Sequence, residues 1–404
     1  METAKKQFNI PIAKPTLIGD ETELIAQSLQ SGWVSMGPLT QRFEQAVCEY
    51  TQARYGVAVN SCTSALHISM LIHGIGAGDE VLCPSYSFIA TANAIRHSGA
   101  EPCFVDIDPN TLNMDPQAAE ACIQERYTSE GVNRKTGRKL KGILLVHQLG
   151  IPADIDTFAA LAKRYHLTLM EDNACGLGST YKNNPLGSSG FTNSLSFHPR
   201  KVITTGEGGM LLTNDETLAE KARVLRAHGM SISDFVRHQS AATTYERYDV
   251  VGYNYRLTDM QAAIGIRQME HLESFIVRRN QIADAYNQAF GQIEELSIIQ
   301  PPTYVTRWNY QSYPLRLRGA TQTQRDEFML ALQQQGITTR RGIPPMHKEP
   351  VYEQGIVLPQ TETVSKTSVM LPIFPTMTDD EVRYVIDCVC LQITHLVSAK
   401  QPVS

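Results

Sequence analysis

The residue of this chain best suited to covalent chemistry is Lys201, which lies in the glycine-rich segment Ser196–Gly209. A lysine amine can form an imine with an aldehyde and can afterwards move a proton. Asp172, upstream of this lysine, could face the protonated nitrogen of a pyridine ring. An imine-forming lysine and an acid opposite the ring nitrogen are what a pyridoxal phosphate (PLP) site requires, so the two residues together predict PLP chemistry.

Two segments could hold the phosphate of such a cofactor. Asn60–His67 places small hydroxyl-bearing residues around Cys62 and Thr63, between a predicted strand and an apolar helix. Free amides at a helix N-terminus bind phosphate, although an ordinary N-cap explains this segment equally well when it is taken alone. Ser196, near the end of another predicted strand, offers a further hydroxyl. The segment therefore predicts a phosphate site only together with the other parts.

The cofactor ring needs a flat support and an acid at the edge of the sheet. Phe88 lies between a predicted strand and a predicted helix, where it could cover a pyridine ring or pack into the core. Asp172 follows the strand Leu167–Met170, at the carboxyl edge where open α/β sheets bind ligands. Glu171 points the opposite way by strand alternation. Asp172 is therefore preferred, with a capping or turn aspartate as the alternative.

The elements that must position these residues alternate between short apolar runs and helical patterns from residue 55 to about residue 230. Such alternation is typical of a mostly parallel sheet wrapped by helices. Helices are predicted at Asp154–Tyr165 and Glu216–Ala227, where apolar residues recur every three or four positions. The predicted strands are Tyr55–Val59, Glu80–Cys83, Pro102–Val105, Gly142–Val146, Leu167–Met170, Ser194–Phe197 and Gly209–Leu212. The expected fold class is α/β with a seven-stranded sheet.

A smaller unit is predicted to follow. Thr258 and Gln261 form a capping-box pattern that opens a long helix to about Phe290. The later elements are predicted at Tyr310–Leu317 (strand), Gln322–Gln335 (helix), Ile337–Arg341 (strand) and Asp379–Leu396 (helix). We therefore expect a large domain at residues 1–255 and a smaller C-terminal α+β domain at residues 256–404, which includes the bridging helix.

The composition is that of an ordinary soluble protein, with 404 residues, 42% hydrophobic residues and a net charge of −5. The negative charge argues against nucleic acid or an anionic membrane as a partner. No run of about 18 apolar residues occurs, and the N-terminus lacks the apolar core of a signal peptide, so a cytoplasmic location is expected. The eight scattered cysteines predict reduced thiols and no metal site.

One segment stands apart by its charge. Residues 133–141 carry five basic side chains around a Thr-Gly turn. A solvated hairpin is the preferred interpretation, and a grip on an anionic partner is the alternative.

Together, these motifs resemble the DegT/DnrJ/EryC1/StrS family of PLP-dependent sugar aminotransferases. The resemblance covers nearly the whole chain and keeps the motifs in the family's order. The matching segments are Ser31–Pro38, Ser61–His67, Pro84–Phe88, His147–Gly150, Glu171–Asp172, Ser196–Lys201, Gly206–Gly209, Gly252–Arg256, Gln261–Ala263, Pro345–His347 and Leu371–Pro372. The resemblance implies the aspartate-aminotransferase-like PLP fold type I and a PLP-dependent enzyme.

The resemblance also implies a role for each matching residue. Lys201 corresponds to the Schiff-base lysine, and Asp172 corresponds to the partner of the pyridine nitrogen. The other cofactor-binding positions are Cys62, Thr63 and Ser196 at the phosphate and Phe88 on the ring. Asn254 corresponds to an asparagine that reaches the phosphate of the neighbouring subunit's cofactor, which implies a homodimer with shared active sites. His347 falls in a segment that approaches the sugar in relatives.

Cys175 marks a departure from the family pattern. Many relatives carry Gln or His three residues after the acid, where the side chain hydrogen-bonds the 3′-oxygen of PLP. A thiol is a poor donor, so either another group takes this role or the thiol suffices. We therefore expect Cys175 to lie near the cofactor and not to act as a nucleophile.

The resemblance further implies a reaction. Because Lys201 is present, the chain resembles the family's aminotransferases and not its sugar dehydratases, which carry a histidine there. The expected reaction transfers the amino group of L-glutamate to a nucleotide-linked ketosugar and releases 2-oxoglutarate, in amino-sugar biosynthesis for a surface polysaccharide or glycoconjugate. The Gly206–Gly209 ending resembles relatives that aminate C4 of 4-keto-6-deoxyhexoses. Amination at C3, a non-nucleotide ketosugar or inosose as acceptor, and a non-enzymatic regulator are the alternatives.

Overall fold

The computed structural model describes residues 8–231, 245–353 and 355–398. The first nine strands are β1 Tyr55–Val59, β2 Asp79–Pro84, β3 Glu101–Val105, β4 Lys139–Val146, β5 Thr168–Asp172, β6 Thr180–Tyr181, β7 Asn184–Pro185, β8 Thr192–Ser196 and β9 Gly209–Thr213. Seven of them form one sheet in the order β1-β9-β8-β5-β4-β2-β3. Each corresponds to one of the seven predicted strands, so the predicted α/β class and seven-stranded sheet are confirmed.

The direction of the strands decides where the chemistry can take place. β2, β3, β4, β5 and β8 are parallel, whereas β9 runs antiparallel to both of its neighbours. Parallel strands end along one edge of a sheet, and this edge is where open α/β sheets bind ligands. Pro84, Val146, Asp172 and Ser196 are the last residues of four such strands. The fold therefore brings the segments that follow these residues to one edge.

Helices cover both faces of this sheet. They are α1 Glu21–Ser31, α2 Pro38–Thr51, α3 Cys62–Ile72, α4 Ala90–His97, α5 Pro116–Arg126, α6 Ile155–Arg164 and α7 Glu216–Arg226. Leu145 of β4 packs with α5 and α6, whereas the preceding residue, Leu144, packs with α3 and α4 on the opposite face. Strands buried on both faces are apolar at successive positions, which explains the continuous apolar runs of the sequence. The predicted α6 and α7 are confirmed, with Asp154 and Asp215 as their N-caps.

A long helix leads into the C-terminal part of the chain. The remaining elements are α8 Asp259–Phe290, β10 Leu296–Ile298, β11 Val305–Arg307, β12 Tyr313–Leu317, α9 Gln322–Gln334, β13 Arg340–Arg341, α10 Pro359–Thr367, β14 Ser368–Leu371 and α11 Asp379–Ser398. The predicted capping box of Thr258 and Gln261 is present at the start of α8. A four-stranded sheet has the order β10-β12-β14-β13. The domain boundary between residues 255 and 256 remains a prediction.

Two predicted strands are shorter than the sequence indicates. The prediction over Ile337–Arg341 was wrong in extent, because Ile337 forms a parallel bridge with Ile10 and only Arg340 and Arg341 join the sheet. β12 begins at Tyr313 and not at Tyr310, whose φ of 45° lies outside the extended region. A three-stranded sheet, β11-β6-β7, was not predicted, because strands of two or three residues carry too little periodicity.

The basic segment 133–141 is anchored to the sheet by one buried carboxylate. Val132 and Lys139 form an antiparallel bridge, which agrees with the predicted hairpin. Glu80 of β2 accepts hydrogen bonds from Asn133 Nδ2 at 2.7 Å and Thr136 Oγ1 at 2.8 Å. The turn is therefore held by its neutral side chains, while its lysine and arginine side chains lie at or near the surface.

Within the described ranges, no helix combines the length and the apolarity needed to cross a membrane. The same residues contain no group of three or more His, Cys, Asp or Glu side chains arranged to hold a metal ion.

Asp259, the first residue of α8, caps α2. Its buried carboxylate accepts hydrogen bonds from the N–H groups of Gly37 (2.7 Å), Leu39 (3.1 Å) and Thr40 (2.9 Å), and from the Thr40 hydroxyl (2.7 Å). Asp259→Ala leaves these donors unpaired, so we expect it to lower the free energy of unfolding by roughly 2–4 kcal/mol, measured by chemical denaturation.

Asp379→Ala is the matched control for this prediction. Asp379 is also the first residue of a helix, but its side chain is 74% exposed in its ion pair with Arg278. An exposed ion pair contributes little, so the control should unfold at nearly the wild-type denaturant concentration. Equal losses in the two variants would contradict the capping role of Asp259.

Candidate active site

Lys201 lies in the loop that connects β8 to β9. The loop is closed at its base by the hydrogen bonds from Phe197 N to Gly208 O (2.9 Å) and from Thr205 N to Phe197 O (3.0 Å). Because β8 and β9 are antiparallel neighbours, the loop stays at the carboxyl edge of the sheet. Lys201 Nζ donates to Cys175 Sγ at 3.1 Å. Lys201 and Cys175, both predicted to lie near the cofactor, are therefore in contact.

Asp172 is the last residue of β5, and its side chain is almost fully buried. Its Oδ2 accepts from Thr91 Oγ1 at 2.8 Å, and its Oδ1 accepts from Ala174 N at 3.1 Å. Ser87 donates to Thr91 in turn, at 2.8 Å. Burial raises the pKa of Asp172, although the two hydrogen bonds and the charge of Lys201 oppose this effect. The carboxylate is thus held rigidly by neutral donors.

The charges around Lys201 keep its amine protonated in the absence of a ligand. Burial favours the neutral amine, but the hydrogen-bond contact with Cys175 and the nearby Asp172 carboxylate outweigh it and raise the pKa of Lys201. An ammonium group cannot attack an aldehyde. Lys201 would therefore have to lose a proton before it could form the predicted imine.

The predicted phosphate cradle is the N-terminus of α3. Ser61 is the extended N-cap, and its side chain accepts from Ser64 N at 3.1 Å. The N–H groups of Cys62 and Thr63 belong to the first turn, where a helix offers no acceptor to its own amides. Gly209 lies directly against this turn: a Cβ on it would come within 2.5 Å of Cys62 N. The close approach of β9 therefore requires glycine.

Ser196 is brought to the same place by the sheet. It is the last residue of β8 and pairs with Gly209 across the antiparallel ladder. Gly209 in turn contacts the first turn of α3, as described above. The three predicted phosphate-binding positions, Cys62, Thr63 and Ser196, thus come together at one point of the edge.

Phe88 is a large aromatic side chain that is 68% exposed. Its carbonyl accepts from Thr91 N at 3.0 Å, at the start of α4. The hydroxyl of the same threonine holds Asp172, so the aromatic ring and the acid are fixed to each other through Thr91. An exposed phenyl ring beside a buried acid offers an apolar face to a planar ligand.

Sequence reasoning missed Thr91 and two residues of the C-terminal part. Asn309 is fully buried and donates to the carbonyls of Cys175 (2.7 Å) and Leu177 (2.8 Å). Gln311 Nε2 donates to Arg200 O at 2.8 Å, next to Lys201. These residues support the loops that carry the thiol and the lysine. Of these three residues, only Thr91 could have been found from the sequence, by its spacing from Phe88. Asn309 and Gln311 are isolated residues that belong to no sequence motif.

The structure places His347 behind the site, with its ring almost fully buried. His347 Nε2 donates to the Glu362 carboxylate at 3.3 Å, so in the neutral ring Nδ1 is the acceptor. Ser85 Oγ, which accepts from the His347 backbone N–H at 3.0 Å, donates to this nitrogen at 2.7 Å. Burial lowers the pKa of His347, although Glu362 opposes this effect. The side chain thus links the loop before Phe88 to α10.

Asn254 lies on the surface of the described chain. Its carbonyl accepts from Asn60 Nδ2 at 3.4 Å, just before the phosphate cradle. The neighbouring Tyr255 is fixed by its hydroxyl, 3.1 Å from Nδ1 of the buried His67. The backbone of this segment is therefore held by its own chain, while the role of the side chain at a second subunit stays a prediction.

The residues present fit PLP. A planar ligand with a phosphate would meet the unpaired amides of α3, the exposed face of Phe88, and an amine and a carboxylate at one sheet edge. Gly209 lets β9 approach these amides, where any side chain would fill the cradle. This arrangement on a mostly parallel seven-stranded sheet is that of a fold type I PLP enzyme.

Comparison with known proteins identifies the family. Residues 15–390 match the model of the DegT/DnrJ/EryC1/StrS aminotransferase family, so the chain belongs to this family. It is 37% identical to the spore coat polysaccharide biosynthesis protein SpsC of Bacillus subtilis, over 95% of this chain and 97% of that protein.

Solved structures agree with this result. The aminotransferase TlmJ from Streptoalloteichus hindustanus has a TM-score of 0.85 at 31% identity, over 96% of this chain and 100% of that chain. The PLP-form of the putative sugar aminotransferase Spr1654 from Streptococcus pneumoniae has a TM-score of 0.85 at 26% identity, with the same coverage. The predicted fold type, cofactor and enzyme class are confirmed: the protein is a PLP-dependent sugar aminotransferase.

Asp172→Asn tests the acid opposite the ring nitrogen. The amide keeps the shape of the side chain but lacks the negative charge that would hold a protonated pyridine nitrogen. We expect kcat to fall by about 100-fold or more, with an unchanged circular dichroism spectrum. Asp156→Asn, at an exposed ion pair with Lys182, is the control and should retain full activity. Full activity of the folded Asp172 variant would refute the assignment.

Proposed function

We propose that the protein transfers the amino group of L-glutamate to C4 of a nucleotide-linked 4-keto-6-deoxyhexose. The observation that carries the proposal is that Lys201, in contact with Cys175, lies close enough to the buried Asp172 for their charges to interact at one sheet edge, beside the predicted phosphate cradle. The name of SpsC, a spore coat polysaccharide biosynthesis protein, supports a role in amino-sugar synthesis for a surface polysaccharide. The proposal includes a cytoplasmic location, since all eight cysteines are free thiols.

The chain's own residues divide the work of the two half-reactions. When bound, PLP supplies an aldehyde that accepts the amino group and a ring that withdraws electrons from the bond being broken. The amides of Cys62 and Thr63, with the Ser196 hydroxyl, would hold the phosphate by charge-assisted hydrogen bonds. Asp172, fixed by Thr91, would keep the ring nitrogen protonated.

Lys201 has two tasks in this mechanism. Its Nζ would hold the cofactor aldehyde covalently in the resting enzyme and would be released when the amino donor binds. The freed amine would then take a proton from the α-carbon of the donor and give a proton to the carbon on the other side of the transferred nitrogen. Cys175, 3.1 Å from Nζ, lies where it can hold the amine in position between these steps.

Lys201→Ala is expected to lower turnover by at least about four orders of magnitude, because it removes both the covalent anchor and the proton carrier. Release of 2-oxoglutarate from glutamate measures the first half-reaction, and visible absorption measures cofactor binding. Lys163→Ala, at an exposed lysine of α6, is the control and should behave as wild type. A folded Lys201 variant that keeps wild-type turnover would exclude the proposed role.

The acceptor is identified by presenting ketosugars to the enzyme after glutamate has aminated the cofactor. Return of the original absorption band marks the sugar that accepts the amine. We expect a nucleotide-linked 4-keto-6-deoxyhexose to restore it. A 3-ketosugar, a free ketosugar or an inosose that alone restores the band would replace the proposed acceptor, and no loss of the band with glutamate would exclude L-glutamate as the amino donor.

The proposal includes a homodimer in which Asn254 completes the phosphate site of the partner subunit. Lys201→Ala and Asn254→Ala should then each lose activity alone, the second through weaker cofactor retention. Dissociated and reassociated together, they form hybrid dimers in which one of two sites has both native residues. Activity should recover to about a quarter of the wild-type value after random mixing. Absence of recovery despite hybrid formation would show that each site is built from one chain.

A further inference from the structure

Two cysteines meet at the far edge of the large sheet. Cys103 lies in β3, the edge strand, and Cys122 lies in the last turn of α5. Their Sγ atoms are 3.6 Å apart, and the two residues are only 4% and 9% exposed. A disulfide has an S–S distance of about 2.05 Å, so a shift of about 1.5 Å would join the two sulfur atoms.

The surroundings make these two thiols unequal. The hydrogen-bond contact with Cys122 lowers the pKa of Cys103; burial opposes this effect, and Tyr127 and the Arg126 guanidinium, 3.6 Å from Cys103 Sγ, add to it. The pKa of Cys122 is raised by the same hydrogen bond and by burial. Cys83, on the next strand, differs from Cys103: burial and the neighbouring Cys103 both raise the pKa of its thiol. The guanidinium of Arg126 lies against the sulfur of Cys103, so Cys103 is the thiol whose ionised form has a cationic partner.

Two carboxylates act on the pair, and one of them, Glu125 of α5, also raises the pKa of Cys122. Glu80, on the adjacent strand β2, opposes ionisation of Cys103. Its carboxylate accepts from the hydroxyl of Tyr127 at 2.5 Å, in addition to the two hydrogen bonds from the basic segment. Arg126 is the cation beside the sulfur of Cys103.

We propose that Cys103 and Cys122 are a peroxide-reactive modification site that forms a reversible intramolecular disulfide. The Cys103 thiolate attacks one oxygen of hydrogen peroxide, the O–O bond breaks, and the leaving hydroxide takes up the proton that Cys103 had lost, which gives water and a sulfenic acid. Cys122 sulfur then attacks the sulfur of the sulfenic acid. The S–O bond breaks, and the hydroxyl leaves with the Cys122 proton as a second water.

This site is separate from the transamination chemistry. The thiols near Lys201 are Cys62 and Cys175. Cys62 contacts the Ser194 carbonyl and Cys175 contacts Lys201, so neither takes part in the Cys103–Cys122 pair. A disulfide between Cys103 and Cys122 would link the edge strand to α5 covalently. It would also close a loop in the unfolded chain and so reduce the conformational entropy of the unfolded state. Reversible oxidation of this kind suits a protein whose cysteines are otherwise reduced, because disulfides in reducing compartments are transient.

The sequence allows a direct measurement on the PLP-loaded protein. Trypsin cleaves after Arg96 and Arg126 and finds no site between them, so both cysteines fall in one peptide. After brief treatment with hydrogen peroxide and alkylation of free thiols, we expect this peptide to be unalkylated and lighter by two hydrogen atoms. Further cleavage after Glu120 should leave the two halves joined until a dithiol reductant separates them.

Variants distinguish the proposed roles. With Cys122→Ser, the Cys103 sulfenic acid has no partner and should be trapped by dimedone, whereas Cys103→Ser should give no adduct at Cys122. Arg126→Gln should slow the cross-link several-fold, and Lys163→Ala should not. The proposal is overturned if both thiols stay alkylatable at a peroxide dose that oxidises the half-buried Cys390, or if Cys103 joins another cysteine. Adduct formation at Cys122 alone would overturn the assigned order of attack.

Discussion

The burial of Asp172 at the carboxyl end of β5 is the constraint on which the rest of the site depends. A carboxylate removed from water must find partners for its charge and its lone pairs. Thr91 and Ala174 supply two neutral donors, and Lys201 supplies the nearby positive charge. Because Thr91 begins the helix that follows Phe88, satisfying the acid also fixes the aromatic ring. One buried charge thereby orders three different segments of the chain.

The antiparallel direction of β9 determines where the loop that carries Lys201 lies. A parallel crossover after β8 would carry the chain to the opposite edge of the sheet, far from Asp172. The antiparallel β8–β9 pair instead returns the chain through a closed loop, so Lys201 stays at the carboxyl edge. The same reversal brings Gly209 against the start of α3, where only a residue without Cβ fits. The lysine loop and the phosphate cradle are therefore positioned by one hairpin.

Most of this framework can be predicted from the sequence, because buried strands and helices leave recognisable patterns of apolar and polar residues. Strands covered on both faces read as continuous apolar runs, and helix starts are marked by Asp154, Asp215 and Thr258. Asn309, Gln311 and the extent of the strand near Ile337 could not be predicted in this way. Their roles depend on contacts with distant residues, such as the bridge to Ile10, and such contacts leave no local periodicity. A single amide or a two-residue strand has no pattern to detect.

Two adjacent carboxylates, Glu171 and Asp172, show how one strand separates structure from chemistry. Strand alternation places them on opposite faces of β5. Glu171 is satisfied within the protein by His147 Nε2 at 2.6 Å, Asn193 Nδ2 at 3.1 Å and the Ser189 hydroxyl. A buried charge with its acceptor sites filled has little to offer a ligand, but its network makes the end of the strand rigid. That rigidity is transmitted to the next residue, because Asp172 O also accepts from the His147 N–H at 3.0 Å. The costly burial of Glu171 thus makes Asp172 a fixed acid, which the proposed chemistry at Lys201 requires.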